Sequence, residues 1–302
     1  MSTLESVQYG WGDNSATRDE PFWVRFSKCQ SSLSNWKEEI RGAAIDIANK
    51  SRRPMWVCLS GGIDSELVCQ TFLELGIPFT VLTLAFDDGA NAHDIKYAVE
   101  WCKENRINQK IVSFNLEKFA SRIPYLLDQG FLADHFFRYY QIHLLELVEE
   151  MGGFAVLGGG EQLYELNGMS PSFENVSLNF DVGFTAALEW CQQHRTCHEP
   201  YFFFSSPGIV ASWLRVPLID FCLRHPDVFV HPKNKYLIKV LGMRIFFPRQ
   251  KPRPKYNGFE NVEHVRHRVQ RELRERLGAK NSTYRLKVNE LRRQVGLMEI
   301  EG

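Results

Sequence analysis

The 302-residue sequence balances 36 Lys and Arg against 36 Asp and Glu, and 44% of its residues are hydrophobic. That composition excludes bulk disorder and gives no global support to nonspecific nucleic-acid binding, which draws on a basic excess. No apolar run reaches a membrane span, the N-terminal MSTLESVQYGWGDNS lacks a cationic leader, and the seven scattered cysteines fit reduced thiols better than a disulfide framework, so a cytoplasmic chain is expected.

After an N-terminal extension over residues 1–34, NWKEEIRGAAIDIANK (35–50) carries apolar residues at helical spacing, and SRRP breaks it before the short apolar strand MWVCLS. SGGIDS follows, and ELVCQTFLEL then places Leu67, Val68, Phe72 and Leu75 on one helical face, stopped by Gly76 and Pro78. FTVLTLAF predicts a second strand, HDIKYAVEWCKEN a helix, KIVSFNL a third strand and HFFRYYQIHLLELVEEMG a helix. FAVLGGGE again runs a strand into a glycine turn. Serial β-α units imply a parallel sheet with right-handed crossovers, and ligands of such sheets bind beyond the carboxyl ends of the strands, where both glycine turns fall.

The core is bounded at residues 35–168. From 169 to 212 the sequence is irregular and aromatic, with YFFFSSPG its most apolar part, and no elements are assigned there. A mixed, helical region runs on to PRQKPRPKYNGF. Residues 261–302, including ENVEHVRHRVQRELRERLGAK and STYRLKVNELRRQVG, interleave both charge signs at helical spacing and are expected to form a charged helical tail. Cys191, His194, Cys197 and His198 in WCQQHRTCHEP do not match paired zinc-ligand spacing and are read as structural.

The chemistry concentrates in SGGIDS at a strand-to-helix junction. Gly61 and Gly62 let the backbone approach an anion, Ser60 and Ser65 offer hydroxyls, and the N–H groups of a helix start favour negative charge. Asp64 would repel a phosphate by itself, so its place in such a cradle suggests a bridging magnesium ion.

SGGIDS resembles the pyrophosphate-binding loop of the N-type ATP pyrophosphatases. VLGGGEQLYELN, RVPLID, NKYLIKVLG and FFPRQKPRPKYNGF are similar, in order, to further segments of the asparagine synthetase family, synthetase domain only. The resemblance spans roughly residues 35–260. It implies a doubly wound α/β fold of the adenine nucleotide α-hydrolase-like type with a helical C-terminal part, in which residues 169–260 complete the active site.

The resemblance also implies ATP and Mg2+ as cofactors, with adenylation of a carboxylate, release of pyrophosphate, and amide formation with ammonia or an amine. Ser60, Gly61, Gly62, Asp64, Ser65, Gly158, Gly159 and Gly160 would hold ATP and pyrophosphate. Asp64 and Glu161 would hold the metal, and Lys235 and Lys255, with Glu161, would be catalytic. Lys239, one helical turn from Lys235, is expected to matter less.

Gln162 stands where the family has glutamate, and no acidic residue lies between the loop glycines, which bears on the acceptor chemistry. The glutaminase domain is absent and no Cys follows Met1, so a separate amidotransferase could supply nitrogen. A small-molecule carboxylate and a nitrogen donor are the expected partners, with neither membrane nor nucleic acid. Base thiolation and noncatalytic nucleotide binding are the alternatives.

Overall fold

The computed structural model describes residues 7–10, 22–30, 32–133, 135–168, 170–250 and 283–300, together with His267, Arg268, Arg271 and Glu275. At the amino end, β1 (Val7–Gly10) pairs antiparallel with β2 (Trp23–Phe26). These two strands lie in the expected N-terminal extension and were not foreseen. Val7, Val24 and Phe26 are buried, so the extension contributes to the core.

The first helix, α1 (Trp36–Lys50), starts at Asn35, whose side chain accepts from Glu38 N at 3.2 Å. It leads to β3 (Met55–Cys58), α2 (Ile63–Glu74), β4 (Thr80–Phe86), α3 (Ala92–Asn105) and β5 (Gln109–Phe114). Two short helices follow, α4 (Leu116–Ala120) and α5 (Ile123–Asp128), then the long α6 (Phe136–Glu150) and β6 (Phe154–Leu157).

The four strands form a parallel sheet in the order β5-β4-β3-β6, with Val57 in register with both Val81 and Val156. Right-handed crossovers that run outward from β3 to β5 and then return to β6 on the other side put helices on both faces, which is the expected doubly wound arrangement. The strand order reverses between β3 and β6. That crevice is the topological switch point, and both glycine turns open onto it.

The stretch left unassigned in the sequence extends this sheet. Glu199 N donates to Ala155 O at 2.8 Å and Leu157 N to Glu199 O at 2.9 Å, so the chain around residue 199 runs parallel to β6 as a fifth, short edge. A 3₁₀ turn, Phe202–Phe204, then buries its three aromatic rings, and Ser206 caps α8 (Pro207–Leu214) by accepting from Gly208 N at 3.1 Å.

A second, antiparallel sheet joins β7 (Tyr164–Leu166), β8 (Val176–Asp181) and β9 (Thr283–Lys287). Between β8 and β9 lie α7 (Gly183–Gln193), α8, α9 (Pro217–Arg224) and α10 (Asn234–Phe246), and α11 (Val288–Gln294) follows β9. The all-helical reading of STYRLKVNELRRQVG is therefore corrected: its first half is strand β9, and Leu286, Val288, Leu291 and Val295 are buried. Arg292 fixes this end, reaching Met298 O at 2.7 Å and Asp220 Oδ1 at 3.4 Å, while Arg224 Nε lies 2.8 Å from Asp220 Oδ2. Asp220 of RVPLID thus ties α9 to α11. No described helix is long and apolar enough to cross a membrane.

Candidate functional site

Cys58 ends β3, and the chain turns through Ser60, Gly61 and Gly62 into α2. Gly61 has φ +87°, and a Cβ there would stand 2.0 Å from the Asp94 carbonyl oxygen, so only glycine fits between β3 and the start of α3. The loop is held by its hydroxyls: Ser60 N donates to Ser65 Oγ at 3.2 Å, Gly62 N to Ser60 Oγ at 3.3 Å, and Ser65 Oγ to Gly62 O at 3.0 Å. Gly62 at the N-cap of α2 offers no capping side chain, and the positive end of the helix dipole favours an anion there.

The second glycine turn is seated directly on the first. A Cβ at Gly158 would lie 2.8 Å from both the backbone N and Cα of Ser65. Gly159 packs against Pro200 and Tyr201, and Gly160 against Phe204. Ser60, Gly61, Gly62, Asp64, Ser65 and the three glycines are therefore brought together at the switch point. Gly158→Ala is expected to push the two turns apart and weaken binding of an ATP analogue on the order of tenfold, since displacements near 1 Å are costly at such sites. Calorimetric titration checks this, and affinity within twofold of the parent would show that the turns do not act as one cradle.

The charged residues distribute differently from expectation. Lys239, only 6% exposed, donates from Nζ to Asp64 Oδ1 at 3.0 Å and Oδ2 at 2.8 Å. Burial opposes the Lys239 cation, but Asp64, then Glu161, outweigh it and raise its pKa. Lys235 pairs instead with Glu165 of β7, whose other oxygen accepts from Asn179 Nδ2 at 2.8 Å. Both lie on α10, which turns Lys239 to the cradle and Lys235 to Glu165. Lys255 falls outside the described residues.

Glu161, after the second glycine turn, acts electrostatically on two buried cations, Lys239 on one side and Arg138 on the other. Arg138 of α6 holds Asp181, with Nε 3.0 Å from Oδ1. Gln162, where the resemblance expects glutamate, is buried and accepts from the Tyr164 hydroxyl at 2.6 Å. It therefore anchors β7. Sequence reasoning also missed Gln250, 3% exposed, whose Nε2 donates to Ile63 O at 2.5 Å, clamping the turn after α10 onto the start of α2. Its only signal was its place within FFPRQKPRPKYNGF.

The WCQQHRTCHEP residues sit at the other end of β6. His198 Nδ1 accepts from Ala155 N at 3.0 Å, and its Nε2 lies 2.9 Å from Glu149 Oε2. Burial pushes the His198 pKa down to about 4, with Glu149 opposing, so the ring is neutral at pH 7. Cys191 is buried, Cys197 exposed, and His194 Nδ1 contacts Trp190 O at 2.9 Å.

Residues 38–160 match the family model Asparagine synthase. The match runs from within α1 through both glycine turns. No curated protein matches the chain. Among solved structures, an NMN synthetase from Francisella tularensis is similar at 13% identity, covering 79% of this chain and 94% of its own, with a TM-score of 0.37. An NH3-dependent NAD synthetase from Campylobacter jejuni subsp. jejuni NCTC 11168, in complex with the nitrate ion, is similar at 14% identity, covering 74% of this chain and 100% of its own, with a TM-score of 0.33.

Proposed function

We propose that this chain is an ATP-dependent ligase that adenylates a carboxylate, releases pyrophosphate and passes the acyl group to ammonia or an amine. The observation that carries the reading is the seating of Gly158 against Ser65, which makes one cradle of two glycine turns around an uncapped helix start at the switch point. The family match over residues 38–160 supports it.

The cradle receives the two phosphates that leave, through the N–H groups at the start of α2 and the hydroxyls of Ser60 and Ser65. A substrate carboxylate oxygen bonds to the α-phosphorus as the bond to the β-phosphate bridging oxygen breaks, and pyrophosphate departs with that electron pair. The amine then attacks the acyl carbon and AMP leaves. Lys239, buried beside Asp64, neutralises that carboxylate from a fixed position next to the departing group, so no reorganisation is needed at the moment of reaction.

Magnesium, which the resemblance implies, does not fit Asp64 in this arrangement. Both of its carboxylate oxygens are engaged by the buried Lys239 ammonium.

The alternatives find less support. Cys191, buried with its thiol pushed up to about 12, and Cys197 lie beside the starting end of β6, away from the glycine turns, which disfavours thiolation. Asp64→Asn is expected to slow carboxylate-dependent ATP–pyrophosphate exchange on the order of a hundredfold, a loss of a few kcal/mol of transition-state stabilisation, because it releases Lys239 from its fixed position. Exchange at the parental rate would remove Asp64 from the chemistry, and no exchange by the parent with any carboxylate would favour a noncatalytic nucleotide-binding role.

A further inference from the structure

The Asp64–Lys239 pair has a meaning beyond positioning. Asp64 sits inside a cradle otherwise suited to anions, and such a carboxylate needs a compensating cation. Here that cation belongs to the chain. Lys239 Nζ reaches both Asp64 oxygens, at 3.0 and 2.8 Å, from a position with 6% exposure. Nothing about it resembles a mobile surface lysine. Gly242, one turn farther along α10, brings that helix close to Trp213 and Ile219, since a Cβ there would lie 2.7 Å from the Trp213 ring. Past the end of α10, Gln250 donates to Ile63 O in the same first turn of α2. Gly242 thus seats α10 against α8 and α9, and Gln250 ties the segment past its carboxyl end to the cradle, so the helix that carries the Lys239 ammonium is held in place.

Electrostatics completes the argument. The ammonium and the Asp64 carboxylate cancel, so the cradle presents uncapped helix N–H groups without the repulsion of a free carboxylate. Glu161 also acts on Lys239 and favours its charged form. A divalent cation at Asp64 would have to displace a buried ammonium that already contacts both oxygens, leaving that ammonium without its carboxylate partner.

We propose that Lys239 stands in for the divalent cation at Asp64, so that the cradle takes up the polyphosphate of its nucleotide without a metal bound to that carboxylate. The nucleotide part of this inference rests on the function proposed above; the placement of Lys239 does not.

Two measurements on the full chain separate them. The first is binding of Mn2+ alone, followed by electron paramagnetic resonance without nucleotide. Uptake by the parent is expected to be unchanged by Asp64→Asn, and a loss of Mn2+ binding in that variant overturns the proposal. The second is calorimetric titration with α,β-methylene-ATP in excess EDTA and again with Mg2+. The parent is expected to bind within about threefold in the two conditions. Lys239→Met, which keeps the buried stem, is expected to lose at least tenfold in EDTA and to recover with Mg2+, which then reaches the freed Asp64. Binding by the parent that requires Mg2+, or Lys239→Met binding in EDTA like the parent, overturns the metal-free cradle while leaving the nucleotide site standing. If the analogue binds in neither condition, the metal-free cradle and the proposed function both fail, and the Mn2+ measurement alone then decides what occupies Asp64.

Discussion

Replacing Arg138 with leucine is expected to lower the unfolding free energy by about 3–5 kcal/mol, the usual cost of leaving one partner of a buried ion pair alone. Arg138 and Asp181 are both largely buried, and the guanidinium contacts both carboxylate oxygens, with Nε at 3.0 Å from Oδ1 and 3.2 Å from Oδ2. Burial pushes the Asp181 pKa up, but Arg138 outweighs it and holds the carboxyl below its ordinary value. Asp181 therefore contributes stability that is present above the unfolded carboxylate pKa and lost as pH falls through the folded one.

With Arg138 gone, burial is opposed only by His135 and a backbone hydrogen bond, and Asp181 is expected to take up a proton more readily. The cost of Arg138→Leu should accordingly shrink as pH is lowered towards 5. Replacing Asp181 with leucine as well should restore most of the loss, because two apolar side chains leave no uncompensated charge. Urea unfolding of the parent, the single and the double variant measures this, and a single-variant loss under 1 kcal/mol would mean that water reaches Asp181. Arg138 also faces Glu161, so the same variant reports whether the wall of the cradle tolerates losing a cation.

The α/β core was legible because its signals are local and redundant. In MWVCLS the apolar run, the glycine break and the following helix each point to the same strand, in FAVLGGGE the apolar run and the glycine break do, and the parallel order follows from the series of β-α units. The C-terminal strand was not legible for the opposite reason. Thr283 to Lys287 alternate with strict period two, Leu286 buried and Arg285 and Lys287 exposed, yet five residues inside a charge-rich stretch fit a helical face equally well. The edge at Glu199 was hidden because its pairing partner, β6, lies more than 40 residues away and only folding brings the two together.

The candidate site divides along the same line. Both glycine turns were visible as motifs, since close backbone approach demands glycine whatever surrounds it. The lysine assignment was not visible. Lys235 and Lys239 sit one turn apart on α10, and which of them meets Asp64 depends on the rotation of that helix, fixed by Gly242 against Trp213 and by Gln250 at Ile63. A motif specifies that a lysine is present. It does not specify the helix phase that decides which carboxylate the lysine reaches.

Glu199 sets a large expected pH effect between pH 4.5 and 8. Its side chain is buried at 4% exposure beside β6, where Tyr201 N donates to Oε1 at 3.4 Å. Burial pushes its pKa up to about 8, with the Tyr201 amide and Lys50 opposing only in part, so Glu199 is mostly protonated at neutral pH. The folded state holds a proton that the unfolded chain has released above about pH 4.5, so stability falls as pH rises from 4.5 to 8 and levels off beyond.

At about 1.4 kcal/mol per pH unit the full span amounts to about 5 kcal/mol. His198, whose pKa is pushed down to about 4, has the opposite sign: its neutral form is favoured by folding, so its share is lost as pH falls below 6.5. Between pH 6.5 and 8 the His198 contribution is flat, and Glu199 should make the parent lose about 2 kcal/mol over that interval. Glu199→Gln keeps an acceptor for Tyr201 N and cannot ionise, so its unfolding free energy should be nearly level over the same range and exceed that of the parent at pH 8. Guanidinium unfolding at closely spaced pH values decides the matter: equal slopes for the two proteins from pH 6.5 to 8 would show that the Glu199 carboxylate is already charged in the folded state and that water or a cation reaches it at the edge of the sheet.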